Sequence, residues 1–139
     1  MNRIHYTAAI ALALMLSGTA CKSDTTGLGL VTVPELASLI KESSAVTVVD
    51  ANGGSTRDEY GVIPGAVLLT SGSGYDVAGE LPADKAGSLV FYCSSEMCSA
   101  APRAARRAVE AGYGNVSVLP AGIKGWVKAG HHVDKPPLG

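Results

Sequence analysis

Hydrophobic positions along this chain change period repeatedly, and each change marks an element. Thr32 and Glu35 form a capping box ahead of Leu36, Leu39 and Ile40, with Pro34 tolerated in the first turn. This predicts a helix over 33–42. Val46-Thr47-Val48-Val49 is a β-branched run that stops at Asp50, the signature of a buried strand. Ala51 to Ser55 reads as a loop, and Thr56 is expected to cap one turn through Tyr60. Ile63-Pro64-Gly65-Ala66 turns the chain into a second strand, Val67–Leu69. Ser71 to Gly79 reads as a glycine-rich loop, and Pro82 to Lys85 as a polar turn. A third strand, Leu89-Val90-Phe91-Tyr92, runs straight into Cys93. Ala101, Ala104, Ala105 and Ala108 recur at helical spacing and predict a helix over 99–111. Its small apolar stripe is expected on the sheet, with Arg103, Arg106, Arg107 and Glu110 in water. Gly112 suits its C-terminal end. Val116–Leu119 predicts a fourth strand, Gly122–Lys128 a last short helix with Trp126, and Gly130 its end. His131 to Gly139 reads as a loose tail.

Strands alternating with helices imply an α/β fold, a parallel sheet covered on both faces. Reactive groups of such sheets gather at the carboxyl ends of strands, where the sequence places Asp50 and Cys93. A chain of 139 residues suits one folded domain. Aromatic residues are only 5% of it, so the core must come from Val, Leu, Ile and Ala. A formal charge of −1 without a basic stripe argues against nucleic acid as a partner.

The first residues follow a different logic. Arg3 precedes an apolar run, Ala8 to Leu16, and then the small residues Ser17-Gly18-Thr19-Ala20 before Cys21. That order is a secretory signal peptide over 1–20, too short for a membrane span. Cys21 has two readings. Leu16 to Cys21 resembles a lipobox, with Gly18 in place of the usual Leu, which would make Cys21 the lipidated residue of a bacterial lipoprotein. Alternatively, cleavage after Ala20 leaves a free N-terminal cysteine. Residues 21–29 are polar and glycine-containing and read as a flexible tether. Under the lipoprotein reading Lys22 leaves the outer membrane open. The expected location is the bacterial cell envelope, in the periplasm, with a lipid anchor as the membrane contact.

Several segments in order resemble a single-domain rhodanese over residues 30–131. Val48-Val49-Asp50 is similar to that family's early strand. Glu59 to Ala66 ends in its Ile-Pro-Gly-Ala. Leu89 to Cys93 is similar to the strand that delivers its catalytic cysteine. Gly112-Tyr113 with Asn115-Val116, and Gly122-Ile123 with Trp126 and Ala129-Gly130, are similar to its later turns. The resemblance implies a three-layer fold around a mostly parallel sheet of four to five strands. It also implies a sulfurtransferase in which Cys93 carries sulfane sulfur as a persulfide. Three positions depart from the pattern: Asn52 where Arg is usual, Val62 where His is common, and Cys98 where many sulfurtransferases have Arg.

The loop Cys93-Ser94-Ser95-Glu96-Met97-Cys98, with Ser99 at the helix start, can gather backbone N–H groups around an anion. This favours a thiolate or persulfide on Cys93 and allows transfer to a thiol or cyanide without metal or cofactor. The plainer reading of Cys93 is a small buried residue at a strand end, and an inactive domain that only binds partners also fits. Cys98 is a candidate resolving thiol, which makes a Cys93/Cys98 dithiol–disulfide oxidoreductase the main alternative; its plainer reading is packing at the helix start. Glu96 at the loop mouth opposes a dianionic donor such as thiosulfate, and Arg103 one turn on compensates only in part. Asp50 and Arg103 are supporting residues. His131-His132 lack spaced partners for a metal. No nucleophile elbow, P-loop or dinucleotide fingerprint is present, and a loop without Arg disfavours phosphoryl transfer. The expected partners are small sulfur donors and acceptors or a protein thiol, with the chain itself a monomer.

Overall fold

The computed structural model describes residues 25, 27–42, 45–137. The expected signal peptide, Cys21 as the expected lipidation position, and most of the expected tether lie outside the described residues. Five parallel strands form one sheet in the order β1-β5-β4-β2-β3. They are β1 Gly29–Leu30, β2 Val46–Asp50, β3 Val67–Leu68, β4 Ser88–Tyr92 and β5 Asn115–Leu119. The helices are α1 Val33–Glu42, α2 Gly54–Tyr60, α3 Val77–Glu80, α4 Ala100–Glu110 and α5 Gly122–Lys128. This is the expected α/β fold.

The central strand β4 shows why. Its side chains alternate between two cores, as a two-residue period requires. Leu89 and Phe91 join Val49, Val116 and Val118 under the alanine stripe of α4. Val90 and Tyr92 join Val48, Leu119 and Ile63 beneath Leu36 of α1 and Ile123 and Trp126 of α5. Alanines at 101, 104, 105 and 108 are all buried, so α4 lies close to the sheet. In register, Asp50 pairs with Tyr92 and Tyr92 with Leu119, so these strand ends align at the sheet's carboxyl edge.

The capping box forms as expected: the Thr32 amide donates to Glu35 Oε2 at 2.7 Å, and the Glu35 amide to Thr32 Oγ1 at 3.4 Å. The Thr32 hydroxyl also donates to Glu35 Oε2 at 2.7 Å, and this bond, followed by that from the Thr32 amide, holds the Glu35 carboxyl below its usual range.

Several local expectations change. Gly29, assigned to the tether, pairs with Ser117 in β1. The second helix starts at Gly54 rather than Thr56, capped by Gly53 in extended conformation. The glycine-rich loop contains α3, tied by Glu80, which accepts from the amides of Thr70 and Asp76. Arg106 and Arg107 are half-buried rather than solvated. Arg107 lies over the Tyr75 ring and donates to the Tyr75 carbonyl at 3.0 Å. The start of the expected loose tail is docked, not free. Asp134 bridges Val62 in antiparallel fashion, and Trp126 Nε1 donates to the His132 carbonyl at 2.8 Å. A buried indole N–H needs an acceptor, and the tail supplies it.

Candidate active site

The site begins with the end of β4. This strand is paired on both sides, so its last residue cannot drift, and Cys93 follows it with 2% of its surface exposed. Two backbone bonds then fix the chain. The Cys93 carbonyl accepts from the Ile123 amide at 2.8 Å, and the Ser94 carbonyl from the Lys124 amide at 3.1 Å. Both donors open α5, whose first amides have no partner within the helix. In a trans peptide the C=O and the next N–H point in opposite directions. The amides of Ser94 and Ser95 are therefore turned away from α5. Among the described residues, none accepts a hydrogen bond from the amides of Ser94, Ser95, Glu96 or Met97.

Gly122 makes this contact possible. Its φ is +61°, and a Cβ there would sit 2.6 Å from the Cys93 oxygen and 2.7 Å from the Ser94 oxygen. The loop closes through a turn in which the Cys98 amide donates to the Ser95 carbonyl at 3.0 Å. Ser99 precedes α4, and Pro102 falls at its third position, where a missing N–H costs nothing. The orphan amides of α4's first turn add their partial positive charge at the loop's end.

The structure brings Cys93 and Cys98 together as a disulfide, their Cα atoms 6.3 Å apart. A small pocket of about 20 Å³ adjoins them, lined by Glu96, Pro120 and neighbours from α4 and β5. Glu96 also borders a larger cleft of about 300 Å³ formed by Leu30, Val31 and Ala121. Ser94 and Ser95 are half-buried; Glu96, Met97 and Ser99 are exposed, Met97 almost wholly (94%). Arg103 is exposed on α4 and lines neither cavity.

Asp50 belongs to a different network. It is fully buried and accepts from the Tyr92 hydroxyl at 2.5 Å and the Asn52 amide at 2.7 Å. The Arg57 guanidinium pairs with it at 3.4 Å and donates to the carbonyls of Asp50 and Leu69. Tyr92 in turn accepts from the Ile63 amide at 3.1 Å. Burial, then the Asp50 charge, push the Tyr92 hydroxyl pKa far up, so it stays a donor. Tyr92 belongs to the α1/α5 core and Cys93 to the α4 core, so Asp50 secures the strand ends and stays out of the Cys93 loop.

Sequence reasoning missed Arg57 as the partner of Asp50. Asn52 occupies the position where a basic residue was expected, and the cation arrives from α2 instead. A signal was present: Arg57 is the sole basic residue between Lys41 and Lys85. The contact of Gly122 with Cys93 and Ser94 had no local signal, since it joins segments far apart in the chain.

A family model described as the rhodanese-like domain matches residues 32–129. No curated protein matches by sequence. A thiosulfate sulfurtransferase from Pseudomonas aeruginosa superposes with a TM-score of 0.63 at 21% identity, over 76% of this chain and 20% of that one. A 3-mercaptopyruvate sulfotransferase from Escherichia coli, described with the rhodanese fold, gives 0.62 at 23% identity, over 80% of this chain and 52% of that one. A protein from Rhodopseudomonas palustris described as a possible tyrosine phosphatase gives 0.62 at 21% identity, covering 78% and 86%. At these identities the likeness concerns the fold.

Proposed function

This chain belongs to the rhodanese-like domain family, and from that premise we propose that it is a sulfurtransferase in which Cys93 is the nucleophile. The observation that carries the reading is the loop after β4: a cysteine at a rigid strand end, followed by amides that have no carbonyl partner and a helix N-terminus. Such a loop favours a thiolate before reaction and a persulfide after it. Cys93 attacks the sulfane sulfur of a donor; the Cys93–sulfur bond forms as the donor's bond to that sulfur breaks. The loop residues Cys93 to Ser99 include no cation, and Glu96 stands at the pocket. Both features suit a donor of low charge and disfavour phosphate monoesters.

The test is mass spectrometry of the reduced Cys98→Ser variant, which has no neighbouring thiol to displace the carried sulfur, after treatment with a monoanionic thiosulfonate. The expected result is one added sulfur on the peptide containing Cys93. A Cys93→Ser variant that gains the sulfur equally would refute the assignment.

A second reading, a dithiol–disulfide oxidoreductase, is favoured by the joined Cys93 and Cys98. It requires a reversible disulfide with a defined potential and no sulfur carriage. We also infer export to the envelope with lipid at Cys21, from the signal-peptide pattern alone. A Cys21→Ser variant that stays in the membrane fraction would remove that inference.

A further inference from the structure

Cys98 is placed where an external acceptor would have to come. In the joined state Cys93 is buried and the pocket beside it is about 20 Å³, room for about one water molecule. While the two cysteines are joined, a thiol of metabolite size does not fit there. Cys98 is already in bonding reach, and its Cα lies 6.3 Å from that of Cys93, inside the range that a disulfide spans without backbone movement.

We propose that this protein reduces sulfane sulfur to sulfide, with Cys98 as the built-in acceptor and an external dithiol as the reductant that restores it. This rests on the persulfide reading of Cys93. In the first step the Cys93 thiolate attacks the outer sulfur of a thiosulfonate, and a sulfinate leaves with the electron pair of the broken bond. In the second step the Cys98 thiolate attacks Cys93 Sγ. The Cys93–Cys98 bond forms, the bond from Cys93 to the outer sulfur breaks, and that sulfur departs with the electron pair. It leaves as hydrosulfide, carrying the persulfide's proton or taking one from water. The sulfane sulfur gains two electrons and each cysteine sulfur loses one. In the third step an external dithiol attacks the disulfide, returns both cysteines to thiols and is itself oxidised to a disulfide.

The structure also gives the third step a direction. Cys98 is half-buried beside the exposed Met97, whereas Cys93 is enclosed. The attacking thiolate reaches Cys98 Sγ, and the Cys93 thiolate is the leaving group, stabilised by the loop amides. The partner is therefore a dithiol that can approach a protruding loop.

The test uses the reduced full chain carrying Cys21→Ser, so that only the loop thiols report. One equivalent of benzenethiosulfonate is added with no other reductant, and sulfide, sulfinate and cysteine state are measured. The expected result is sulfide equal to the sulfinate, with a Cys93–Cys98 disulfide in the product. Cys98→Ser and Cys98→Ala should each release sulfinate, retain the Cys93 persulfide and yield sulfide at least about tenfold more slowly. A Cys98-intact protein that keeps its persulfide as long as these variants do would overturn the proposal. If no sulfinate or persulfide forms in any of the three, the reading of Cys93 itself fails and this inference goes with it.

Discussion

Replacing Gly122 with alanine tests how the cysteine loop is held. Gly122 has φ +61°, and a Cβ there would stand 2.6 Å from both the Cys93 oxygen and the Ser94 carbonyl carbon. Two costs add. Holding a non-glycine residue in the left-handed region costs about 1–2 kcal/mol. Relieving the overlap moves α5 away from the loop and weakens the Ile123–Cys93 and Lys124–Ser94 hydrogen bonds, each worth about 0.5–1.5 kcal/mol. The expected loss is about 2–5 kcal/mol. Gly65 supplies the control, with φ +76° and no atom near an added Cβ. Gly65→Ala should cost the conformational part alone, about 1–2 kcal/mol. Urea unfolding of both variants, at equal slope, gives the difference. The amides of Ser94 and Ser95 turn with their carbonyls, so Gly122→Ala should also slow persulfide formation on Cys93, while Gly65→Ala should not. Equal unfolding midpoints for the two variants would refute the claim that Gly122 is required by close approach.

Three further outcomes follow from the same structure. Asp50→Ala leaves the Tyr92 hydroxyl and the Arg57 guanidinium without their buried acceptor and should cost about 3–5 kcal/mol. The double variant with Arg57→Met should lose less than the sum of the singles, measured by a urea-unfolding cycle. Glu96→Ala should raise kcat/KM for thiosulfate by roughly two- to fivefold at low salt, with a smaller gain for a monoanionic thiosulfonate; equal gains for both donors would remove the electrostatic explanation. Burial pushes the Tyr75 hydroxyl up to about 12, against an ordinary value near 10. A raised folded-state value means stability that is complete below about pH 10 and is lost as the pH rises through about 12. Tyr75→Phe should flatten that alkaline loss in thermal unfolding, at the expense of the bond that Tyr75 donates to the Ala104 carbonyl.

The order of elements was legible in the sequence because each rests on local periodicity. The alanine stripe at 101, 104, 105 and 108 and the capping box of Thr32 and Glu35 specify helices from neighbouring residues alone. The run Leu89 to Tyr92 similarly marks a strand buried on both faces, and so delivers Cys93 to the sheet's edge. Glycine-rich stretches were less legible. Gly53 and Gly54 open α2, and α3 forms inside an apparent loop because Glu80 bonds back to Thr70 and Asp76.

What the chain by itself determined was the α/β alternation, the strand that ends at Cys93, and a second cysteine at the loop's other end. Those features depend on residues within a few positions of one another. The tertiary structure decided the rest, because it depends on pairs that only folding brings together. Arg57 reaches Asp50 across the β2–α2 turn, the start of the tail seals Trp126, and α5 presses Gly122 against the cysteine loop. The reach of Cys98 to Cys93 is of the same kind: the spacing allowed it, and the curvature of the loop, anchored by α5 and closed by its own turn, made it a contact.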